Sequence, residues 1–161
     1  MRKIYIPLAI VVLTTLELAW PAFLDFFYCK PDLLLAFAVS LVFYADFKTA
    51  FLFGTLSGLA KDLFLFRGVA VNTFCFGALV YLVYRVSRQI STEDFYVRLL
   101  IVLAAALLNN FVTGLNAAAG LEGMASGGVP AGIFLRNLLI SSFYTVLLAP
   151  AVFKLAKKTA L

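Results

Sequence analysis

The sequence lacks the residues on which most enzyme and metal sites depend. It has no histidine, which excludes histidine acid–base catalysis and histidine metal ligands. Its two cysteines, Cys29 and Cys75, are far apart and form no Cys-x-x-Cys pair, so neither a disulfide nor a metal site is expected. No serine or cysteine stands beside a recognisable base, and no Gly-Lys-Ser/Thr phosphate loop is present. We therefore expect no catalytic residue, no cofactor and no metal, and we do not predict an enzyme.

Charged residues are also scarce, at 13% of 161 residues, whereas about 25% is usual for soluble domains. Hydrophobic residues make up 64% of the chain, and the mean hydropathy is +1.04. The apolar segments are long and continuous, without the alternation that is typical of barrel strands. These features predict an all-α integral membrane protein, a single compact bundle over residues 1–161 with no room for a soluble domain.

The apolar runs predict about six transmembrane helices, separated by polar or glycine-rich stretches. The first is expected to be an uncleaved membrane helix, because it is long enough to span and lacks a small-x-small cleavage site. The second is short, and it either crosses a thinned region of bilayer or is partly re-entrant. Pro150 is a candidate break in the sixth. The approximate bounds are 4–24, 31–47, 48–66, 69–86, 92–118 and 131–153.

The net charge of +5 indicates orientation rather than nucleic-acid binding, because the basic residues cluster at helix ends instead of along one face. Of the 13 lysines and arginines, nine lie on one side of the predicted bundle and four lie on or toward the other. The positive-inside rule then places both ends of the chain in the cytoplasm. The nine are Arg2, Lys3, Lys48, Arg85, Arg88, Arg98, Lys154, Lys157 and Lys158.

A seam of small residues marks the third helix. Its members fall on one face at helical spacing, and the pair Lys61–Asp62 continues that face at the next turn. Small residues let the backbone of a neighbouring helix come close, so the seam either packs helices within one chain or receives a partner. Packing within the chain explains the glycines but not the charged pair. The seam consists of Ala50, Gly54, Ser57 and Gly58.

Six polar residues are predicted to share one depth in the outer half of the bundle. Counted at 1.5 Å per residue, the charged members lie about 6–10 Å from their helix ends. Two acidic side chains balance two basic ones. The set is interpreted as a structural ion-pair network, a small wet cavity or a partner-binding surface. Its members are Glu17, Lys61, Asp62, Asn109, Asn116 and Arg136.

Two short motifs resemble those of a known family. The stretch 30–35, read KPDLLL, is similar to the Pro-Asp-led second helix of the rod shape-determining protein MreD family. The stretch 58–63, read GLAKDL with Gly68 downstream, is similar to the Gly-Leu-x-x-Asp segment of that family. Lys61 departs from the pattern, because an uncharged residue is more usual before the aspartate. The matched positions are Pro31, Asp32, Gly58, Leu59 and Asp62.

The resemblance implies a non-enzymatic component of the elongation machinery in the bacterial inner membrane. It implies that the chain works with the bitopic protein MreC. Through MreC it would reach the actin-like MreB inside and the RodA–class B penicillin-binding protein synthase outside. It also implies a fold like that of the substrate-binding subunits of energy-coupling-factor vitamin transporters. The expected interface with a partner or between helices comprises Pro31, Asp32, Gly54, Ser57, Gly58, Leu59 and Asp62.

Two functions of different class remain open. One is a scaffold that binds partner membrane helices and assembles a cell-wall synthesis complex. The other is a small-molecule-binding subunit of a transporter, whose site would combine the outer polar residues with the glycine-rich stretch 119–130. The small-residue seam would also suit a homodimer. The sequence leaves open which helices contact the partner.

Overall fold

The computed structural model describes residues 5–19, 30–64, 70–90, 94–118 and 131–160. This part of the chain is all-helical and contains six helices, as predicted. The glycine-rich stretch 119–130, the turn at Arg67–Gly68 and Cys29 lie outside the described residues. The helices are α1 Tyr5–Leu18, α2 Leu33–Tyr44, α3 Phe47–Phe64, α4 Val71–Ser87, α5 Phe95–Ala118 and α6 Ala131–Ala160.

Helix α2 lies at the centre of the bundle and contacts each of the other five helices. Ten of its 12 residues are buried, and it has no polar face. A helix that is hydrophobic all round is expected to be buried all round. The hydroxyl of Ser40 donates its hydrogen bond to the Ala36 carbonyl within the same helix. At 1.5 Å per residue α2 is about 18 Å long, which is too short to cross about 30 Å of hydrocarbon.

Helices α5 and α6 are the longest, at 24 and 30 residues. By length and composition, Phe95–Asn116 and Phe134–Ala160 are each sufficient to cross a membrane. Helix α6 continues through Pro150 to Ala160, beyond the predicted end near residue 153 and without the candidate break. A proline removes only one backbone hydrogen bond, and membrane helices tolerate that loss when neighbouring helices pack around it.

The C-terminal end of α2 is fixed to α5 by aromatic and basic side chains. Arg98 Nη1 donates a hydrogen bond to Tyr44 Oη at 2.8 Å. The Arg98 guanidinium also lies 5.4 Å from the centre of the Tyr44 ring and 5.9 Å from that of Phe43, distances typical of cation–π contacts. The C-terminal end of α2 is therefore held by specific side-chain contacts. Polar contacts at its N-terminal end form the candidate site.

Candidate functional site

The N-terminus of α2 carries a group of polar side chains centred on Asp32. Its Oδ1 accepts a hydrogen bond from the backbone N–H of Leu35 at 3.0 Å and so caps the helix. Its Oδ2 lies 2.5 Å from Lys61 Nζ and accepts a hydrogen bond from Asn109 Nδ2 at 3.1 Å. The Asp32 N–H donates to Thr145 Oγ1 at 2.9 Å. Helices α2, α3, α5 and α6 thus meet at one residue that is only 4% exposed.

Helix α1 joins the same group through Glu17. One oxygen, Oε1, lies 3.3 Å from Lys61 Nζ, and the other accepts a hydrogen bond from the backbone N–H of Leu34 at 3.4 Å. Lys61 therefore bridges two carboxylates that both face the positive N-terminal end of α2. One negative charge is in excess, and the α2 dipole partly offsets it. We call this group the Asp32 cluster: Glu17, Asp32, Lys61, Asn109 and Thr145.

A cavity of about 140 Å³ opens beside the Glu17 and Lys61 side chains. It is large enough for a few water molecules, which need two to four polar partners each. The geometry is that of an ion-pair network beside a small cavity rather than of a large ligand pocket. The cavity is lined by Thr14, Glu17, Leu18, Lys30, Leu34, Lys61 and Phe64.

Asp62 belongs to a separate network at the start of α4. Its Oδ1 accepts hydrogen bonds from the Asn72 backbone N at 3.1 Å and from Asn72 Nδ2 at 2.8 Å. Its Oδ2 accepts from the Thr73 backbone N at 2.8 Å and from Thr73 Oγ1 at 2.7 Å. The N-cap residue of α4 is Ala70, which makes no side-chain cap bond. Asp62 therefore caps α4 from the neighbouring helix.

Gly58 is the first residue of the Gly-Leu-x-x-Asp segment that ends with Asp62, and it is required for the close approach of α3 to α4. A Cβ atom at this position would lie 2.8 Å from the Asn72 carbonyl carbon and from Thr73 Cα. Real Cβ atoms do not come that close to a backbone, so only glycine lets α4 begin where Asp62 can cap it. Spacing of four residues puts the glycine and the aspartate on one face of α3. The motif therefore builds the α3–α4 helix pair.

The seam Ala50, Gly54, Ser57 and Gly58 is buried within the chain. A Cβ on Gly54 would lie 2.7 Å from Val80 Cγ2 on α4 and 3.7 Å from Ala38 Cβ on α2. Of the two interpretations of the seam, packing inside one chain agrees with these contacts. The glycines allow α3 to approach α4 and α2 closely.

The predicted polar set needs correction at three positions. Asp62 caps α4 in a separate network and does not join Glu17 and Lys61 in one cluster. Asn116 Nδ2 donates to the Val112 carbonyl of its own helix at 3.0 Å, and Arg136 is exposed. The depth count assumed that all helices end at one level, whereas α5 and α6 extend further. Arg136 lies nine residues before Thr145 along α6, or about 14 Å from the level of the cluster.

Six of the seven residues of the predicted interface are buried against their own chain, which agrees with packing between helices, and contact of these residues with a partner stays a prediction. Leu59 alone is exposed, at 39%. Pro31 and Asp32 are enclosed at the start of α2, since that helix begins inside the bundle rather than at its surface. The buried six are Pro31, Asp32, Gly54, Ser57, Gly58 and Asp62.

Sequence reasoning missed Asp32 and Thr145 as members of the cluster. The Pro-Asp motif predicts that the second helix begins near Asp32, but it does not indicate that Asp32 is buried. The available signal was the shortness of α2: a central helix of 12 residues has to begin inside the bundle. Thr145 gave no sequence signal, because its role depends on where α6 passes Asp32. Within the described ranges, no group of three Cys, Asp or Glu residues is arranged to hold a metal ion.

Replacing Gly58 by alanine should destabilise the protein by about 2–3 kcal/mol, because the new methyl group forces two backbones apart. Thermal unfolding of the detergent-solubilised protein measures this. The matched control is Gly132→Ala on α6, where an added Cβ would meet nothing within 4 Å. That change should be neutral or stabilising by up to about 1 kcal/mol. Equal melting temperatures for the two variants would mean that α3 and α4 are not in close contact.

Comparison with known proteins identifies the family. Neither a search of curated proteins nor a search of solved structures found a match. A family model described as rod shape-determining protein MreD matches residues 1–159. The match includes both short motifs and nearly the whole chain, so the protein belongs to the rod shape-determining protein MreD family.

Proposed function

We propose that this protein is a non-enzymatic membrane scaffold of the bacterial elongation complex. Family membership gives a role in rod shape determination in a membrane protein. In the proposed mechanism the chain binds MreC and, through it, helps couple MreB to peptidoglycan synthesis by RodA and its penicillin-binding protein. The observation that carries the proposal is a row of exposed leucines on α3.

This leucine seam consists of Leu52, Leu56, Leu59 and Leu63, which are 55%, 41%, 39% and 65% exposed. Their spacing of four, three and four residues is the heptad spacing by which two helices pack knobs into holes. At 100° per residue the four side chains stay within a sector of about 60°. A single partner helix with its own heptad pattern would pack along this line, and a bitopic protein supplies such a helix.

A row of exposed apolar residues on α6 lacks the heptad spacing of the leucine seam. Its members recur every four residues, so at 100° per residue they wind through about 120° and present no straight seam. Such a row suits lipid better than a parallel partner helix. The row is Leu135, Leu139, Phe143 and Leu147. It therefore offers a matched control for the leucine seam.

The proposal includes a multi-pass protein of the inner membrane with both termini in the cytoplasm. The nine of 13 basic residues that are predicted on one side support that orientation. A fold related to the substrate-binding subunits of energy-coupling-factor transporters is part of the same proposal and is supported by the helix number.

The alternative function, small-molecule binding for such a transporter, has less support. The cavity beside Glu17 and Lys61 measures about 140 Å³. Pockets that enclose small molecules usually measure about 300–1,000 Å³. The carboxylates that would recognise a ligand are already bound to Lys61, Asn109 and backbone N–H groups.

The double substitution Leu56→Ala and Leu59→Ala should weaken binding of the MreC-like partner about tenfold, which corresponds to about 1.4 kcal/mol. Affinity purification of the tagged protein in mild detergent, with quantitative mass spectrometry, measures the recovery. The control is Leu139→Ala with Leu147→Ala, which removes two leucine side chains from α6 that are at least as exposed, at 43% and 73%.

Equal recovery of the partner with both double variants would contradict the assignment of the leucine seam as the site that binds the MreC-like partner. Recovery of an ATPase with a small transmembrane coupling subunit, and of no MreC-like protein, would overturn the scaffold in favour of the transporter. Recovery of a second, differently tagged copy that is lost with the α3 variant would assign the seam to a homodimer.

A further inference from the structure

A groove of about 810 Å³ lies between the start of α1 and the end of α6, at the opposite end of α1 from Glu17. The lining from α1 is Tyr5 and three small or apolar residues, and α6 contributes Leu155 and three lysines. Apolar residues and lysines therefore both line the groove, and we call the apolar ones, Leu8, Ala9, Val12 and Leu155, its floor. Its full lining is Tyr5, Leu8, Ala9, Val12, Lys154, Leu155, Lys157, Lys158 and Thr159.

The three lysines occupy one face of α6. Lys154, Lys157 and Lys158 are spaced at i, i+3 and i+4, all three are exposed, and all three line the groove. Among the described residues, no carboxylate lies within ion-pair distance of any of them. Like charges at this spacing repel each other and destabilise a helix. An anion bound between the three lysines would offset this repulsion.

The floor restricts which anion fits. Leu8 and Val12 line the groove and are 59% and 49% exposed, and a purely polar ion would leave both apolar side chains uncovered. The hydroxyl of Thr159 donates to backbone carbonyls of its own helix, so it adds little polarity. The ligand must combine a negative head with an apolar tail. Anionic membrane lipids have this combination, and they surround a membrane protein.

We propose that this groove binds one anionic phospholipid, with its phosphate between the lysines and an acyl chain along Leu8 and Val12. The volume is in the range of about 300–1,000 Å³ that is usual for enclosed ligands. Basic pockets between helices on the cytoplasmic side are suited to anionic headgroups. Tyr5 also lines the groove, and it is the first residue of α1, near the membrane interface that tyrosine favours. This site is separate from the leucine seam, and it does not depend on MreC.

The test is native mass spectrometry of the purified full-length protein, titrated with phosphatidylglycerol and, in parallel, with phosphatidylcholine. We expect phosphatidylglycerol to bind and phosphatidylcholine to bind much more weakly. Replacing all three lysines by glutamine should lower the affinity for phosphatidylglycerol about a hundredfold, because each lysine contributes a factor of about five. The matched control is Lys48→Gln, Arg85→Gln and Arg88→Gln, which removes three charges from α3, α4 and the residue after it and should change binding less than about twofold.

Val12→Trp provides an independent variant, because it fills the groove from an exposed position and leaves every charge in place. It should also remove the bound lipid. Equal losses in the lysine variant and its charge-matched control would overturn the proposal, as would unchanged binding to Val12→Trp. Binding of inorganic phosphate as tightly as phosphatidylglycerol would mean that the apolar floor takes no part. Loss of a protein partner with Val12→Trp, while the lipid stays bound, would assign the groove to that protein.

Discussion

Replacing Lys61 by methionine should destabilise the protein by about 3–5 kcal/mol, because removing one partner of a buried pair leaves an uncompensated charge. Here two carboxylates, Glu17 and Asp32, would face each other at the start of α2 without a cation between them. For a protein of this length the change corresponds to a fall in melting temperature on the order of 10 °C. Thermal unfolding in detergent measures it.

Two further variants separate this effect from general damage to α3. Lys48→Met removes an exposed lysine from the same helix and should change stability by less than about 1 kcal/mol. Adding Glu17→Gln to Lys61→Met should restore part of the loss, because it removes one of the two opposed carboxylates. A Lys61→Met protein as stable as Lys48→Met would show that the Asp32 cluster contributes no net ion pairing.

Replacing Asp62 by alanine should cost about 3–5 kcal/mol, because four donors at the start of α4 lose their acceptor in one step. Buried donors left without a partner each cost about 1–3 kcal/mol, and the costs are not additive. Asp62→Asn keeps one acceptor oxygen, so its free energy of unfolding should fall by roughly half as much. Thermal unfolding of the two variants beside the wild type gives the ratio.

Amide hydrogen exchange shows which part of the protein is destabilised by Asp62→Ala. With Asp62→Ala, the amides of Asn72 and Thr73 should exchange much faster, while amides in the middle of α2 change less. That pattern distinguishes loss of a helix cap from global unfolding. Unchanged exchange at the start of α4 would contradict the capping role, whatever the melting temperature.

The helices were largely predictable because each is a continuous apolar run interrupted by residues with clear local meaning. Pro31 and Asp32 mark the start of a helix by backbone geometry and by capping, and α2 begins at Leu33. The seam at Gly54 and Gly58 predicted close helix packing, and the structure has α4 there. Such information is local, so a sequence carries it.

The composition of the site was less predictable, because it depends on how far neighbouring helices extend past one another. Lys61 and Asp62 are adjacent in the sequence, but 100° around α3 separates them into two networks. Arg136 was placed too close to Glu17, because the count started from helix ends that are not level. Thr145 lies 113 residues from Asp32, and no pattern along the chain indicates that contact.

The central position of α2 has a consequence for how the protein is made. The second helix leaves the ribosome early, but the side chains that satisfy Asp32 belong to α3, α5 and α6. At about 5–20 residues per second, Thr145 is synthesised about 6 to 23 seconds after Asp32. During that interval an aspartate at the end of a short helix has only part of its partners in the membrane. The hydrogen bonds and ion pair of Asp32 are therefore complete only after α6 has been translated and has packed against α2.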